Sequence, residues 1–496
     1  MKKTTHPSLA HLWAITIMTG IFVFVNTHPI RPHDFWWHMA VGRQIVATHR
    51  IPTVDTFSYT MRGTPYPSYQ AFWLMEVLLY LLYRAGGAPL VVMMQSLTIT
   101  LAYGALLLAA QRVSRSWRIA AAATLFAAAL GLDDWNVRPQ VIAFLLAALE
   151  LWLLEEHRRD GSPLRLLLLV PLMAIWVNAH GTFPIGMAFV ALALLDAVWT
   201  PWRRGERLLT RGSLSLLAAL VAMGLTALLC NPRGAGIVAY LRTLTTDPAV
   251  QHLVPEWSPP TFQTWNGALF LVGLLLTAAL LALSPSRPRP AEIGAFLLFG
   301  LLGLKTSRGV IWFGLAMAVP IARHLAAVFA ASSPAAEEAG GAPWLNRAFA
   351  ALLMAGAVLS LPWFKSALPL PPPKAALISP ETPVAATDYL LAHHLPPQLF
   401  HAMPFGSYLI WAAQPDYPVF VDSRIELYPS ELWRDYLRIS AADCDWEARL
   451  AHYGVRTLML SPVEQPALVE AARRSPQWEE RYADEAAVIF VRREGP

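Results

Sequence analysis

Residues 9–38 have the sequence LAHLWAITIMTGIFVFVNTHPIRPHDFWWH. The part from Leu9 to Val25 and beyond is apolar and approaches the length of about 20 residues that a helix needs to cross a bilayer. Met1–Lys3 is basic, and no small-residue cleavage site follows the apolar stretch. The pattern therefore predicts an uncleaved first span with its N-terminus inside. An acidic and aromatic motif, HDFWWH at 33–38, comes directly after this span.

The composition of the whole chain is also that of a membrane protein. Its 496 residues are 55% hydrophobic and 14% charged, with a mean hydropathy of +0.42, whereas soluble proteins contain about 25% charged residues. This excludes an ordinary cytosolic enzyme and a disordered chain. The 19 Trp and 40 Pro residues are typical of the interfacial belts and broken helices of polytopic membrane proteins. The net charge of +5 is modest, and scattered basic residues favour membrane topology over nucleic-acid binding.

Ten more apolar stretches follow the first, which gives a prediction of about eleven spans. They lie near 88–110, 117–132, 138–154, 164–178, 183–200, 212–230, 265–284, 290–305, 308–330 and 345–364. The segment 71–84 is apolar too, but as a helix it would measure only about 21 Å against a hydrocarbon core of about 30 Å. We therefore interpret it as an interfacial or re-entrant helix.

Arginines gather in four connecting loops and predict the direction of the spans. The four groups are Arg112, Arg115 and Arg118; Arg158, Arg159 and Arg165; Arg203, Arg204, Arg207 and Arg211; and Arg287 and Arg289. The positive-inside rule favours a cytoplasmic position for all four loops. The opposite, outer face then receives the segments 28–87, 131–138, 178–182, 231–264, 305–308 and 365–496.

The C-terminal part differs in character from the rest of the chain. A proline-rich exit at Pro369–Pro373 is followed by short strand-like runs at Pro418–Val421, Thr457–Leu460 and Ala487–Val491. Helical stretches alternate with them, at 383–394, 464–474 and Trp446–Tyr453. We therefore predict a transmembrane domain over 1–364, a linker over 365–374, and a small soluble α/β domain at the outer face over 375–496.

The first outer segment contains the most informative polar residues. Asp34 and His38 are four residues apart, so a helix would place them on the same face. A partly desolvated carboxylate at that position is a candidate general base, and we predict that Asp34 and His38 are catalytic. His33 and Asp55 are candidate ligands of the substrate or acceptor. The alternative is an interfacial helix that Asp34 caps, with solvated histidines.

Further candidates lie in the other outer loops. Asp134 and Arg138 follow Asp133 in one loop, where carboxylates can bind a sugar hydroxyl or help to bind a divalent cation. A polar turn before a helix that starts at Pro139 is the alternative. Asn178 and His180 lie at the end of a span, where a helix cap or an interhelical hydrogen bond is the alternative. In the longest loop, Arg233 is a candidate phosphate ligand and Glu256 a candidate donor ligand. A loop salt bridge remains the alternative for both.

Lys305 and Arg308 interrupt the apolar sequence between two spans. A cation at such a position costs free energy, so it indicates a functional role by default. They suit a lipid-linked phosphate or pyrophosphate, and snorkelling to lipid headgroups is the alternative. In the tail, polar residues follow the strand-like run within 419–428, which predicts ligand contacts or a turn network between Asp422 and Arg424.

Together these features resemble the GT-C superfamily of membrane glycosyltransferases. In that pattern an acidic motif follows the first span on a juxtamembrane helix, and Asp34, His38, Gly42, Ile51-Pro52 and Gly63-Thr64-Pro65-Tyr66 match it. The run from Asp34 to His38 also resembles the acidic-aromatic motif of oligosaccharyltransferase catalytic subunits. The layout of many spans and a small outer domain is similar to the protein mannosyltransferase and aminoarabinose transferase branch. Phe35 departs from the mannosyltransferase pattern, where an acidic residue is common.

The resemblance implies sugar transfer from a polyprenyl-phosphate-linked donor at the outer face of the membrane. Asp34 would be the base on the acceptor hydroxyl, and Lys305 and Arg308 would hold the donor phosphate. The acceptor would be a glycan, a lipid or a protein. A divalent cation, Mg²⁺ or Mn²⁺, stays open, with Asp34 and Asp134 as its candidate ligands.

Other functions are open at this stage. One is a polymerase or ligase of lipid-linked glycans, and another is a non-catalytic glycan-assembly protein or a transporter. A transporter would place its charged residues near the middle of broken helices, whereas here they lie at span ends. We predict an integral protein of a bacterial inner membrane, with a cytoplasmic N-terminus and membrane lipids among its partners.

Overall fold

The computed structural model describes residues 7–66, 68–332 and 342–493. Its first fifteen helices are α1 (Leu9–Asn26), α2 (Phe35–Thr48), α3 (Tyr69–Ser114), α4 (Trp117–Gly131), α5 (Val141–Asp160), α6 (Pro163–Leu167), α7 (Leu169–Ala179), α8 (Phe183–Arg203), α9 (Arg211–Leu229), α10 (Gly236–Thr246), α11 (Pro248–Leu253), α12 (Trp265–Leu283), α13 (Pro290–Lys305), α14 (Val310–Ser332) and α15 (Pro343–Leu359). The C-terminal elements are α16 (Pro372–Ala375), α17 (Val384–Ala392), β1 (Leu399–His401), α18 (Met403–Ala412), α19 (Ser430–Ser440), α20 (Trp446–His452), β2 (Thr457–Leu460), α21 (Pro466–Arg474), β3 (Trp478–Ala483) and β4 (Val488–Arg492).

The predicted apolar stretches are helical, and the mostly helical membrane fold with a small sheet is confirmed. In the described part of the chain, six helices are long and apolar enough to cross a membrane. They are α1, α3, α8, α9, α12 and the helix over Ser307–Ala330. The total of about eleven spans stays a prediction, because the remaining apolar helices are shorter or contain more charges. The segment 71–84 lies in α3, which is interrupted by the non-helical residues Gly86 and Gly87.

The chain divides into two compact units. Unit 1 contains residues 1–28, 89–237 and 255–370, and unit 2 contains 29–88, 238–254 and 371–496. In unit 1, α4 packs against α14 and α1, and α13 packs against α14 and α8. The α4 face in these contacts is rich in buried alanine, including Ala120, Ala123 and Ala127. Small side chains let helix backbones approach closely, which is how helices associate in a lipid environment.

Unit 2 contains a four-stranded sheet in the order β1-β2-β4-β3. β1 and β2 are parallel, and the other two pairs are antiparallel. Every residue of β1 and β2 is buried, whereas β3 has mainly exposed residues. The sheet therefore has a buried central part and one solvated edge. The first outer segment, 29–88, belongs to the same unit as this sheet.

One predicted strand was wrong and two were missed. Thr457–Leu460 is β2 and Ala487–Val491 overlaps β4, whereas Pro418–Val421 joins no strand of the sheet. That run instead forms an isolated bridge between Ser58 and Val419. Its backbone groups therefore pair with the first outer segment, a long-range partner that the local pattern does not reveal. The sequence pattern did not predict β1 and β3, because β1 is only three residues long and β3 is rich in charged residues.

Gly42 permits a close approach between α2 and the first part of α3. A Cβ atom at Gly42 would lie 2.6 Å from the carbonyl carbon of Glu76 and 2.9 Å from Cβ of Tyr80. We expect Gly42→Ala to destabilise the protein by about 1–3 kcal/mol through overpacking, measured as a lower midpoint of thermal unfolding in detergent. Gly20→Ala is the matched control, since no atom lies within 4 Å of its added Cβ. Equal midpoints for the two variants would contradict the close approach.

Candidate functional site

Three side chains from distant parts of unit 1 meet in an arginine–glutamate cluster, which we define as Arg138, Glu256 and Arg308. Glu256 Oε1 accepts a hydrogen bond from Arg138 Nη1 at 2.7 Å, and its Oε2 accepts one from Arg308 Nε at 2.6 Å. All three side chains are part-exposed. One carboxylate thus holds two guanidinium groups together, and the cluster keeps an excess positive charge that solvent can reach.

Short turns position the arginine–glutamate cluster. Glu256 lies in the 3-10 turn Pro255–Trp257 and Arg308 in the turn Ser307–Gly309. The backbone N–H and the hydroxyl of Ser307 both donate to the Ser258 carbonyl, at 2.9 and 3.0 Å. The guanidinium of Arg308 also lies over the Trp257 ring, 5.7 Å from its centroid. Because backbone contacts fix the two turns to each other, the side chains of Glu256 and Arg308 meet in a defined geometry.

The charges of the two arginines determine the protonation state of Glu256. Burial raises the pKa of Glu256, but Arg308 and Arg138 outweigh this effect and hold the pKa of Glu256 below its usual range. Glu256 therefore stays ionised at neutral pH and remains a salt-bridge acceptor for both arginines. Charge-assisted hydrogen bonds of this kind are about twice as strong as neutral ones.

Asp134 lies beside the cluster and has an unusual titration. Burial, followed by the negative charge of Glu256, raises the pKa of Asp134 to about 7, and Arg308 and Arg138 only partly oppose this rise. Gln140 Nε2 donates to Asp134 Oδ1 at 3.3 Å. Asp134 is therefore a carboxyl group that exchanges a proton near neutral pH, within the electrostatic influence of the cluster.

This raised pKa predicts a pH dependence of stability. Ionisation of Asp134 is less favourable in the folded chain than in the unfolded one, so the protonated carboxyl favours the folded state. This contribution to stability is full below the ordinary Asp pKa of about 4. The contribution is lost as the pH rises to about 7. We expect the unfolding midpoint of Asp134→Asn to fall less between pH 5 and pH 8 than that of the wild type. Asp133→Asn, at the neighbouring exposed position, is the control, and parallel curves for the wild type and Asp134→Asn would contradict the prediction.

The remaining basic candidates of unit 1 lie in different surroundings. Lys305 is exposed at the C-terminus of α13, three residues before Arg308. Arg233 follows Asn231, whose Oδ1 accepts a hydrogen bond from the Arg233 N–H at 2.9 Å. The sequence predicted both as donor-phosphate ligands. Arg308 is the predicted phosphate ligand that takes part in the arginine–glutamate cluster.

Asn178 and His180 lie at the connection between α7 and α8. Asn178 Nδ2 donates to the Ala174 carbonyl at 2.8 Å and to the Cys230 carbonyl at 3.0 Å. His180 Nδ1 lies 3.0 Å from Thr182 Oγ1. These contacts satisfy backbone groups at a helix end and a neighbouring side chain, which favours the capping alternative for Asn178. Their roles as substrate ligands stay predictions.

Asp34 lies in unit 2, immediately before α2. Its carbonyl accepts a hydrogen bond from the His38 N–H at 3.2 Å, but its side chain does not form the N-cap hydrogen bond of the helix. The side chain is half-buried, as is that of His33 beside it. The capping alternative is therefore not what the structure shows, and the catalytic role of Asp34 stays a prediction.

His38 has a buried acidic partner that the sequence did not identify. Its Nδ1 lies 3.0 Å from Glu76 Oε1, and both side chains are buried. The Trp37 ring covers the imidazole at a centroid distance of 3.6 Å, and Glu76 Oε2 has no hydrogen-bond partner among the described residues. A lone carboxylate inside the apolar segment 71–84 was the available signal, since such residues are functional by default.

Asp55 belongs to a buried network in unit 2, which we call the Arg424 network and define as Asp55, Tyr69, Asp422, Arg424 and Tyr428. Arg424 donates to Asp55 Oδ1 and to Asp422 Oδ2, both at 2.6 Å, and none of these three side chains is exposed. Arg424 also contacts the hydroxyl of Tyr69. The Tyr428 hydroxyl donates to Asp422 Oδ2 at 2.6 Å. The turn network foreseen for Asp422 and Arg424 is present, and it includes Asp55.

A divalent cation such as Mg²⁺ requires several converging oxygen ligands. No group of three His, Cys, Asp or Glu side chains converges among the described residues. The candidate metal ligands Asp34 and Asp134 lie in different units. Asp34 and Asp134 therefore stay predictions as ligands of a divalent cation.

The fold has counterparts among solved structures. The oligosaccharyltransferase of Archaeoglobus fulgidus, solved with a tethered acceptor peptide that contains the NVT sequon, is similar with a TM-score of 0.53 and 11% identity, over 98% of this chain and 74% of that chain. The arabinofuranosyltransferase AftD from Mycobacteria gives a TM-score of 0.51 and 14% identity, over 98% of this chain and 42% of AftD. ArnT from Cupriavidus metallidurans, bound to undecaprenyl phosphate, gives 0.49 and 16%, over 97% of each chain.

The comparisons of sequence give a different result from those of structure. No protein-family model matches the chain, and no curated protein matches it in sequence. The structural similarity nevertheless covers nearly the whole chain at TM-scores above 0.5 for two glycosyltransferases. The chain therefore has a GT-C-like fold, as the resemblance of its first outer segment implied.

Proposed function

We propose that this chain is a membrane glycosyltransferase that uses a polyprenyl-phosphate-linked sugar at the outer face of the membrane. The observation that supports it most directly is the arginine–glutamate cluster. On a GT-C-like fold, it holds two guanidinium groups on one carboxylate at 2.6 and 2.7 Å. Paired arginines suit the bidentate recognition of a phosphate group.

The proposed role of the cluster is to bind and release the donor phosphate. In the transfer, the bond between the anomeric carbon and the phosphate oxygen breaks, and the lipid phosphate leaves with the electron pair. Negative charge then grows on that oxygen, and preorganised cations stabilise it most strongly in the transition state. Arg138 and Arg308 supply these cations. Lys305 and Arg233 stay predicted as further phosphate ligands.

Asp34 is the proposed general base. It removes the proton from the acceptor hydroxyl as that oxygen forms a bond with the anomeric carbon. A single displacement of this kind inverts the configuration of the sugar carbon. His38 lies one turn further along the same helix face, and its contact with Glu76 fixes the orientation of the imidazole. The acceptor, which is a glycan, a lipid or a protein, is proposed to contact His33.

The experiment that tests this function is a binding and turnover assay on the purified full chain in detergent. A panel of polyprenyl-phosphate sugars is presented to the wild type, and both donor affinity and the release of lipid phosphate are measured. The variants are Arg138→Gln, Arg308→Gln and their combination. Each single change removes a charged hydrogen-bond donor, so we expect donor affinity to fall about tenfold or more. The exposed Arg434→Gln is the charge-matched control.

Two outcomes would overturn the proposal. The first is wild-type donor affinity in the combined variant, which would remove the cluster from the donor site. The second is the absence of binding for every polyprenyl-phosphate sugar by the wild type, which would favour a glycan-assembly protein or a transporter. Turnover with an oligosaccharide-lipid donor and not with a monosaccharide-lipid donor would assign the chain to the polymerases and ligases.

A further inference from the structure

A long apolar groove runs along α1 in unit 1. At one end it is a cavity of about 830 Å³ between α1 and α15, lined by residues such as Leu12, Phe349 and Leu352. It continues as a cavity of about 610 Å³ between α1 and α4, which extends to Leu132 and Trp135. The two cavities share Trp13, Thr16 and Arg118. They therefore form one continuous surface along most of α1, which we call the α1 groove.

The α1 groove has an uneven distribution of charge. Among the described residues that line it, Arg118 is the one charged side chain, and no carboxylate is present. Arg118 is exposed, and no ion pair joins it to another described residue. Most of the remaining lining is apolar, and Trp13, Leu125 and Leu352 in it are exposed. The groove thus fits a molecule with long apolar chains and one anionic group.

The end of the groove nearest Arg118 has further positive character. Asn346, near the start of α15, donates to the Pro7 carbonyl at 3.1 Å, and His11 of α1 contacts the Trp117 ring at 5.3 Å. The N-termini of α1, α4 and α15 therefore lie together, and helix N-termini favour anions. Arg112 in the last turn of α3 and Arg115 between α3 and α4 precede Arg118, and the positive-inside rule assigns this connection to the cytoplasmic side.

We propose that the α1 groove is a binding site for an anionic glycerophospholipid. The acyl chains lie along the apolar wall, and the phosphate pairs with Arg118. Basic pockets between membrane helices recognise anionic headgroups in this way, with a contribution of about 1 kcal/mol per Lys or Arg near the surface. This site differs from the arginine–glutamate cluster in its residues.

The test measures how lipids stabilise the purified full chain in detergent. Phosphatidylglycerol and phosphatidylcholine with identical acyl chains are added, and the unfolding midpoint is followed, since a ligand of the folded state raises it by mass action. We expect a larger rise with phosphatidylglycerol, equivalent to about fivefold tighter binding. Arg118→Gln is expected to abolish this preference, and Arg118→Lys to keep it. Arg434→Gln, which removes an exposed charge in unit 2, is the matched control.

A second variant tests the apolar wall independently of charge. Gly20 lines the groove, and no atom lies within 4 Å of an added Cβ. Gly20→Leu therefore fills the groove with a good helix-forming residue. We expect this variant to retain less lipid after purification than the wild type, and mass spectrometry measures the retained lipid. The proposal is overturned if Arg118→Gln keeps the wild-type preference or if Gly20→Leu retains as much lipid as the wild type. A larger midpoint rise with polyprenyl phosphate than with phosphatidylglycerol would instead assign the groove to the donor.

Discussion

Asp34→Asn is expected to lower the rate constant of sugar transfer by about 10²–10⁴-fold, the usual contribution of a general base. The amide keeps the size and hydrogen-bonding reach of the side chain but does not accept the proton of the acceptor hydroxyl. Because the donor phosphate is assigned to other residues, donor affinity should change little. The assay is the release of lipid phosphate under saturating donor, beside a direct measurement of donor binding.

Asp133→Asn is the matched control for this prediction, since it removes an exposed carboxylate that is outside the proposed machinery. It should retain the wild-type rate. A wild-type rate for Asp34→Asn would make the assignment of the base wrong, whereas a loss of donor binding together with the rate would place Asp34 in the donor site. The first result leaves the proposed function intact and the second changes the role of the residue, so the two are distinguishable.

Much of the fold was predictable because it depends on local composition. A helix in a membrane must satisfy its own backbone groups, so an apolar stretch of sufficient length has few other structures available. This is why the stretches near 183–200, 212–230 and 265–284 were found with nearly correct ends. The tail was harder to predict, because a three-residue strand such as β1 depends on pairing with β2, which lies more than 50 residues further along the chain.

The candidate site was predictable in its residue types but not in its pairings. Arg138 and Glu256 were singled out by their positions in outer loops, and Arg308 by its position between two spans. Their meeting depends on contacts between residues more than 50 positions apart in the chain. The sequence did not point to Glu76, because segment 71–84 was interpreted from its length alone. The one carboxylate in that segment was not considered. Glu76 is a charged residue in an apolar helix, and its partner is His38.

The Arg424 network gives the largest expected effect on stability. Arg424 is fully buried between Asp55 and Asp422, and removal of the guanidinium would leave two carboxylates without their cation. Breaking a buried ion pair from one side is destabilising by about 3–5 kcal/mol. We therefore expect Arg424→Met to lower the unfolding midpoint of the full chain far more than Arg434→Ala, which removes an exposed arginine and should change stability by no more than about 0.5 kcal/mol.

A compensating variant separates the charge effect from the loss of packing. Burial raises the pKa of Asp55, but Arg424 and Ser58 outweigh burial and hold the pKa of Asp55 below its usual range. Asp55 is therefore ionised when it meets Arg424, and Arg424→Met leaves its charge buried. Replacing Asp55 and Asp422 with Asn in the Arg424→Met background removes both unpaired charges, so the triple variant should recover part of the lost midpoint. If Arg424→Met unfolds at the wild-type temperature, or if the triple variant is less stable than the single one, the ion pairs do not hold the first outer segment to the C-terminal region as the network implies.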